Sequence, residues 1–214
     1  MNLTRIYSKL DPSFYQSEDA VMLAKLLLGK LLVTHFDGAY TSGIIVETEA
    51  YRGIVDKASH AFGNRRTGRT EIMFASGGSA YVYLCYGIHH LFNVVTGSAG
   101  IPHAILIRAI EPLEGKDIML LRTGKKKWDG SIGSGPGNVA KALGIHTKHS
   151  GTSLLGEEIF IADNGISFRH AEIVSTPRIG VGYAGEDAAL HYRFVVKGHP
   201  SISAKTFTSK FYNH

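Results

Sequence analysis

A chain of 214 residues with 44% hydrophobic and 19% charged residues has enough apolar surface for a core, which excludes a disordered chain. Its 23 basic against 18 acidic residues give a formal charge of +5, compatible with a polyanionic partner such as nucleic acid. One cysteine, Cys85, excludes an internal disulfide and thiolate-rich zinc sites, and fits a reducing, intracellular compartment.

Residues 1–16 read as an extended N-terminal arm, and Met1 to Lys9 lack the apolar core of a signal peptide. Ser17 is placed to cap a helix with Glu18 and Asp19 in its first turn. Val21, Leu23, Ala24, Leu27 and Leu28 then recur at helical spacing up to Gly29. The stretch from Val21 to Val33 is too short, and too interrupted by Lys25 and Lys30, to span a bilayer, so no membrane partner is expected. Leu31 to His35 and Gly43 to Tyr51 read as strands joined through an Asp37-Gly38 turn. Residues 52–79 form a long polar loop carrying Arg65, Arg66 and Arg69, with some helix near its end, and loops of this length in compact domains are usually functional. Ala80 to Tyr86 and Leu91 to Thr96 flank Gly87 as a hairpin, and Ala104 to Ile110 is a further strand. Glu114 to Arg122 is helical, Lys125 to Lys127 lie in a surface loop, and Asn138 to Leu143 form a short helix closed by Gly144. Ser153 to Lys197 reads as strands and turns. With no repeat, linker or low-complexity tract, one mixed α/β domain over 1–214 accounts for the pattern.

Along the strand Ile44 to Tyr51, alternation puts Glu47, Glu49 and Tyr51 on one face and Ile44, Val46 and Ala50 on the other. That face is either a solvated strand edge or a carboxylate in a cleft. Tyr81 and Tyr83 share a strand face, while Tyr86 falls on the opposite one beside the turn. They are packing residues or a stacking platform with an exposed wedge. Arg108 interrupts the apolar run Ile105 to Ile110 and needs an anionic partner, with Glu47, Glu49 and Glu111 as candidates. The arginines at 65, 66 and 69 and the lysines at 125–127 are solvated loop charge or phosphate contacts. The 11 histidines show no ligand spacing, and no metal site is expected. No Walker loop, Gly-x-Ser-x-Gly or dinucleotide fingerprint is present.

Taken in order, Val46-Glu-Thr-Glu-Ala-Tyr51, Ala58-Ser-His60, Met73-Phe74, Tyr81-Val-Tyr83, Tyr86-Gly87, Asn93-Val94 and Leu106-Ile-Arg108-Ala-Ile-Glu-Pro112 resemble segments of the alkyladenine (3-methyladenine, methylpurine) DNA glycosylase family. Ser134-Gly-Pro-Gly137, Arg178-Ile-Gly-Val-Gly182, Ala184-Gly-Glu186 and Arg193-Phe194 continue the series, which covers roughly residues 17–203. The resemblance implies a mixed α/β (α+β) fold: a single compact domain with a curved, mainly antiparallel sheet, a protruding β-hairpin and peripheral helices. It implies no cofactor and no metal, and double-stranded DNA containing damaged purines as partner. Carried over by position, Glu49 is the general base and Arg108 the residue that positions it. Tyr51, His60 and Tyr83 wall the flipped base, and Leu106 also binds it. Asn93 is a gate against the guanine 2-amino group. Tyr86 enters the duplex, and Met73 and the arginines at 65, 66 and 69 contact DNA. Two departures, Arg69-Thr70 where relatives often have Arg-Asn and Gly53-Ile54 where they often have Gly-Pro, fall in the long loop.

These roles describe an enzyme that flips an alkylated purine out of the duplex and hydrolyses its bond to the sugar through a Glu49-activated water. No lysine shares the strand face of Glu49, so no strand-cutting lyase activity is expected. With no coiled-coil seam, a monomer is expected. Two alternatives use the same residues. One is a damaged-DNA reader without catalysis. The other is a carbohydrate glycosidase using Glu47 and Glu49 as its carboxylate pair.

Overall fold

The structure, a computed structural model, describes residues 7–212. Strand β1 (Ser8–Lys9) and a 3-10 turn (Pro12–Gln16) precede helix α1 (Ala20–Leu26). Strands β2 (Leu31–Phe36) and β3 (Ala39–Tyr51) follow, then β4 (Ala80–Cys85), β5 (His89–Thr96) and β6 (His103–Glu114). Helices α2 (Lys116–Thr123) and α3 (Pro136–Leu143) come next, then β7 (Ile159–Asp163), β8 (Ile173–Thr176), β9 (Arg193–Val196) and α4 (Lys205–Ser209).

All strand pairs are antiparallel, in the order β1-β7-β2-β3-β6-β5-β4, with β9 and β8 branching from β3. The long β3 strand organises this sheet. One edge pairs with β6 along most of its length; the other pairs with β2 over residues 39–44 and with β9 over residues 47–49. Helix α1 lies over β3 and β6, and α3 over β5 and β6. Leu23, Ala24, Val46, Ala50, Ile105, Ile107, Val139 and Leu143 all belong to the resulting core. Thr48 faces the same side and donates its hydroxyl to the Ala24 carbonyl at 2.8 Å. The mixed α/β class and the antiparallel sheet therefore match expectation. No helix among the described residues is long and apolar enough to cross a membrane.

Several details differ from the sequence reading. Residues 1–6 lie outside the described residues, and the remainder of the expected arm is built into the body. Ser8 and Lys9 pair with β7, and Tyr15 is fully buried. The Tyr15 carbonyl accepts from Gly97 N at 2.8 Å and lies so close to Gly77 that any Cβ there would collide with it. Helix α1 is capped by Asp19, whose carboxylate accepts from Met22 N at 2.8 Å, while Ser17 accepts from Asp19 N. The short acceptor that reaches the free N–H groups is the one directly before the helix. Strand β3 extends beyond the expected limit because residues 39–42 pair with β2, and β6 because residues 111–114 pair with β3. Helix α4, at residues 205–209, has no counterpart in the sequence reading.

Candidate active site

The antiparallel register builds the site. Arg193 of β9 lies opposite Glu49 of β3, Glu49 opposite Leu106 of β6, Leu106 opposite Asn93 of β5, and Asn93 opposite Tyr81 of β4. Directly opposed residues share a sheet face, so five positions scattered over 145 residues of chain form one row. Two residues along their strands, Glu47, Tyr51, Tyr83 and Arg108 fall on that same face. The helices cover the other face. Over the row, residues 52–75 and 177–190 enclose a cleft of about 580 Å³ lined by Tyr51, His60, Tyr83, Leu106, Arg108 and Ile179 among others, with Tyr86 at its edge. Below it, Met73, Tyr81 and Asn93 line a narrow recess. A further depression of about 700 Å³ between residues 68–75 and β4 is lined by none of Tyr51, Arg108 and Ile179, the residues that bond to Glu49.

Both carboxylates are fully buried, so the solvated-edge alternative for this strand is excluded. They are not equivalent. Glu47 Oε1 accepts from Arg108 Nε (2.9 Å), Arg193 Nε (2.8 Å) and the Ser203 hydroxyl (2.7 Å), and Oε2 accepts from Ser203 N at 2.6 Å. A carboxylate held in this way is a structural anion and cannot serve as half of a glycosidase acid–base pair. Glu49 lies directly under the cleft. Its Oε2 accepts from the Tyr51 hydroxyl (2.8 Å) and Arg108 Nη1 (3.4 Å), and its Oε1 accepts from Ile179 N at 2.8 Å. Among the described residues Oε1 accepts from Ile179 N alone, fewer donors than Oε2 or Glu47 Oε1 take, so it keeps an acceptor position for a further donor. Burial opposes the charge on Arg108, but the carboxylates of Glu49 and Glu47 outweigh it and raise its pKa. It is a permanent cation. Of its three candidate partners it takes Glu47 and Glu49, while Glu111 lies near His199.

Tyr81, Tyr83 and His60 form an aromatic cluster with centroid separations of 4.7–6.0 Å. The Tyr81 hydroxyl is 2.8 Å from His60 Nδ1 and accepts from Arg69 Nε at 3.2 Å. Arg69 Nη2, which can only donate, also lies 3.1 Å from His60 Nε2. Burial, then the charges of Arg69 and Arg65, push the His60 pKa down to about 4, leaving the ring neutral near pH 7. Burial likewise raises the phenol pKa values of Tyr51 and Tyr83, so both stay protonated. Each of these two rings carries a guanidinium on one face: Arg178 is 4.8 Å from the Tyr51 centroid and Arg69 4.6 Å from that of Tyr83.

The β4–β5 turn is closed by Ile88 N donating to Cys85 O at 3.1 Å, with Tyr86 (φ 51°) and Gly87 (φ 72°) at its centre. Tyr86 therefore occupies the turn itself, not the strand face beside it, and is 87% exposed. A non-glycine residue there carries local strain of about 1–2 kcal/mol, which the turn could shed with Asn or Gly.

One expected DNA contact takes a different place. Met73 is 1% exposed, packed with Ala61, Phe74, Tyr81, Val95 and Ala104, so it underlies the recess and presents no surface to a duplex. Arg69 is exposed and rests on the aromatic cluster, with its guanidinium against His60 and the Tyr81 hydroxyl and over the Tyr83 ring. Arg66 pairs with Glu71 at 3.0 Å and stacks on Phe74, while Arg65 remains exposed. Asn93 is buried and donates to the carbonyls of Tyr81 (3.1 Å) and Leu91 (3.3 Å). Of the two loop departures, Thr70 is buried and donates to Arg65 O at 2.9 Å, whereas Ile54 is exposed. Among the described residues, no group of three or more His, Cys, Asp or Glu side chains is disposed to hold a metal ion.

The sequence reading assigned no role to Ile179, Tyr183, Arg178, Arg193 or Ser203. Ile179 acts through its backbone N–H, which residue type cannot reveal. Tyr183 lines the cleft and donates to Ala58 O at 3.1 Å. Arg178 pairs through both Nη atoms with Asp56, at 2.5 and 2.9 Å, behind Tyr51. Its signal was present, since Arg178 to Gly182 was among the matching stretches.

The family model described as Methylpurine-DNA glycosylase (MPG) matches residues 13–200. A Chlamydia felis protein named "Putative 3-methyladenine DNA glycosylase" is 48% identical over 191 residues, covering 87% of this chain and 95% of its own. Proteins of the same name from Bacillus cereus (strain G9842) and Chlamydia pneumoniae are 47% and 45% identical over 203 residues. They cover 91% and 93% of this chain and 98% and 100% of their own.

Proposed function

This chain belongs to the methylpurine-DNA glycosylase family, and we propose that it excises alkylated purines from duplex DNA by base flipping and Glu49-assisted hydrolysis, leaving an abasic site. The observation that carries the proposal is a buried carboxylate with a spare acceptor position, beneath a cleft walled by Tyr51, His60 and Tyr83, with an exposed tyrosine on a strained turn at the cleft's edge.

The flipped base stacks against the free faces of Tyr51 and Tyr83. A 3- or 7-methylated purine carries positive charge, which strengthens stacking and makes the base a better leaving group. Damaged bases also pair and stack less well, so extruding them costs less. Tyr86 fills the gap left in the duplex, and such a use accounts for a strained, solvent-exposed tyrosine at the hairpin tip. Asn93, anchored by two backbone carbonyls, is the gate that crowds a guanine 2-amino group.

In the chemical step, water bound at Glu49 Oε1 attacks C1′ of the sugar. The C1′–N bond breaks, its electron pair leaves with the purine, and the water proton passes to Glu49. The carboxylate also stabilises positive charge developing on the sugar. Arg108 holds Glu49 in register, and Ile179 N fixes the orientation of Oε1. Among the described residues lining the cleft there is no lysine, which favours a water nucleophile and the absence of lyase activity. Every side chain invoked comes from one chain, so a single copy suffices. Methylpurines are the primary substrates, with hypoxanthine and ethenoadenine as further candidates.

The test is incubation with methylated duplex DNA followed by alkali. Release of free methylpurine and cleavage at the resulting abasic sites is expected. Binding without abasic sites would instead establish a non-catalytic reader of damage.

A further inference from the structure

Glu47 is a fully buried charge that the proposed reaction does not use. Its surroundings tie the catalytic row to a part of the chain beyond residue 200, the end of the family match. Ser203 gives Glu47 both its backbone N–H and its hydroxyl, and the same hydroxyl lies 3.4 Å from Arg108 Nη2. Arg193, also fully buried, donates to Glu47 through Nε, to Thr176 Oγ1 through Nη1, and to Ser203 O and Thr208 Oγ1 through Nη2, the last three each at 3.0 Å. The segment after β9 is thus fastened to the floor of the site by side chain and backbone alike.

The consequence concerns Arg108. This guanidinium has two carboxylates within reach. Bidentate pairing, with two parallel N–H···O bonds, is the strong geometry for such a contact. Here Nε is taken by Glu47 at 2.9 Å, and only Nη1 reaches Glu49, at 3.4 Å. Two buried arginines face two buried carboxylates, so the cluster is charge-balanced only while Glu47 is ionised. With Glu47 neutral or displaced, Arg108 could close both its N–H groups onto Glu49 and cover the oxygen that must take the water.

We infer that Glu47, fixed by Arg193 and by Ser203 of the C-terminal segment, is a positioning residue that diverts Arg108 and keeps Glu49 open to water. This rests on the proposed role of Glu49. The segment around residues 203–208 is accordingly part of the reaction machinery, although none of it lines the cleft.

The experiment compares wild type with Glu47→Gln, Ser203→Ala and Ser203→Thr on a methylated duplex, with enzyme in excess. The saturating single-turnover rate constant is the main readout, because it does not change when only the folded fraction falls. Affinity for a duplex carrying a tetrahydrofuran abasic analogue and the melting temperature are measured alongside. Misplacement of a catalytic group by about 1 Å costs up to about 10²-fold. The expected results are therefore a rate roughly 10- to 100-fold lower for Glu47→Gln and Ser203→Ala, unchanged affinity for the analogue, and substantial recovery in Ser203→Thr, which restores the hydroxyl. Glu47→Gln could unfold, and Ser203→Ala, which retains the N–H contact, then decides the question. Wild-type rate constants in both folded variants would overturn the inference while leaving the glycosylase proposal intact. If wild type itself releases no methylpurine, the proposal about Glu49 falls first.

Discussion

Replacing Glu49 with Gln tests the centre of the site, and its effects can be worked out contact by contact. The amide keeps one acceptor oxygen. If that oxygen keeps the Ile179 N–H, the new NH₂ group points at the Tyr51 hydroxyl, which can turn to accept, and at Arg108 Nη1, which cannot. Arg108 retains Glu47 at 2.9 Å, but Glu47 is then shared with Arg193, so one buried positive charge in the cluster loses its counter-charge. The stability cost is then about 3–5 kcal/mol, the range for breaking a buried ion pair. For a domain of this size that is a fall in Tm of roughly 6–20 °C, at ~2–4 °C per kcal/mol. The kinetic effect is separate and is read on the folded protein. A positioned general base supplies about 10²–10⁴-fold, or roughly 3–5 kcal/mol of barrier. Single-turnover release of methyladenine should fall by that factor, with affinity for an abasic-analogue duplex retained. A folded variant that releases base within threefold of the wild-type rate would remove Glu49 from the chemistry.

Tyr86→Ala should change Tm little, because the side chain is 87% exposed, but should weaken capture of a lesion duplex by roughly 5- to 150-fold, the equivalent of one lost stacking contact. Fluorescence anisotropy at fixed salt checks this, and equal affinities would exclude the wedge. Asn93→Gly should raise release of undamaged guanine by roughly 10- to 200-fold, the range for removing one steric feature of a pocket, at a stability cost of about 1–3 kcal/mol for two carbonyls losing their donor. An unaltered guanine rate would refute the gate. For His60, the pKa of about 4 in the fold lies below the ordinary 6.5, so the unfolded chain binds the proton first. Its contribution to stability is complete above pH 6.5 and is lost as pH falls toward about 4. His60→Gln should flatten the fall of Tm over that window, and parallel curves for the two proteins would contradict the buried, neutral imidazole.

Much of this arrangement was legible without coordinates because it depends on local periodicity. Alternation along Ile44 to Tyr51 puts Glu47, Glu49 and Tyr51 on one face, and the structure shares Arg108 between the two carboxylates there. The Asp37-Gly38 turn was equally clear, since positive φ at both positions selects those residue types. What period-2 reasoning could not supply was which of the two carboxylates is free. Glu47 and Glu49 are alike in type, spacing and burial. The difference is made by Arg193 and Ser203, more than 140 residues away. Met73 was misplaced, and the seat of Arg69 on the aromatic cluster was missed, for a related reason. Their loop has no periodicity, so nothing local indicates that one side chain turns into the core and the other onto an aromatic cluster.

Residue order alone determined the main strands, which residues share a face along each, the Asp37-Gly38 turn and the chemistry at hand: two carboxylates, an arginine and several tyrosines. These follow from side-chain alternation and backbone preference, both short-range. The tertiary structure decided the register that lines up Arg193, Glu49, Leu106, Asn93 and Tyr81, and the backbone N–H of Ile179 that orients Glu49. It also decided how two arginines are divided between two carboxylates. Hydrogen-bond partners across strands are chosen by packing of the whole chain, and a buried charge takes the nearest donors in space, wherever they lie in the sequence.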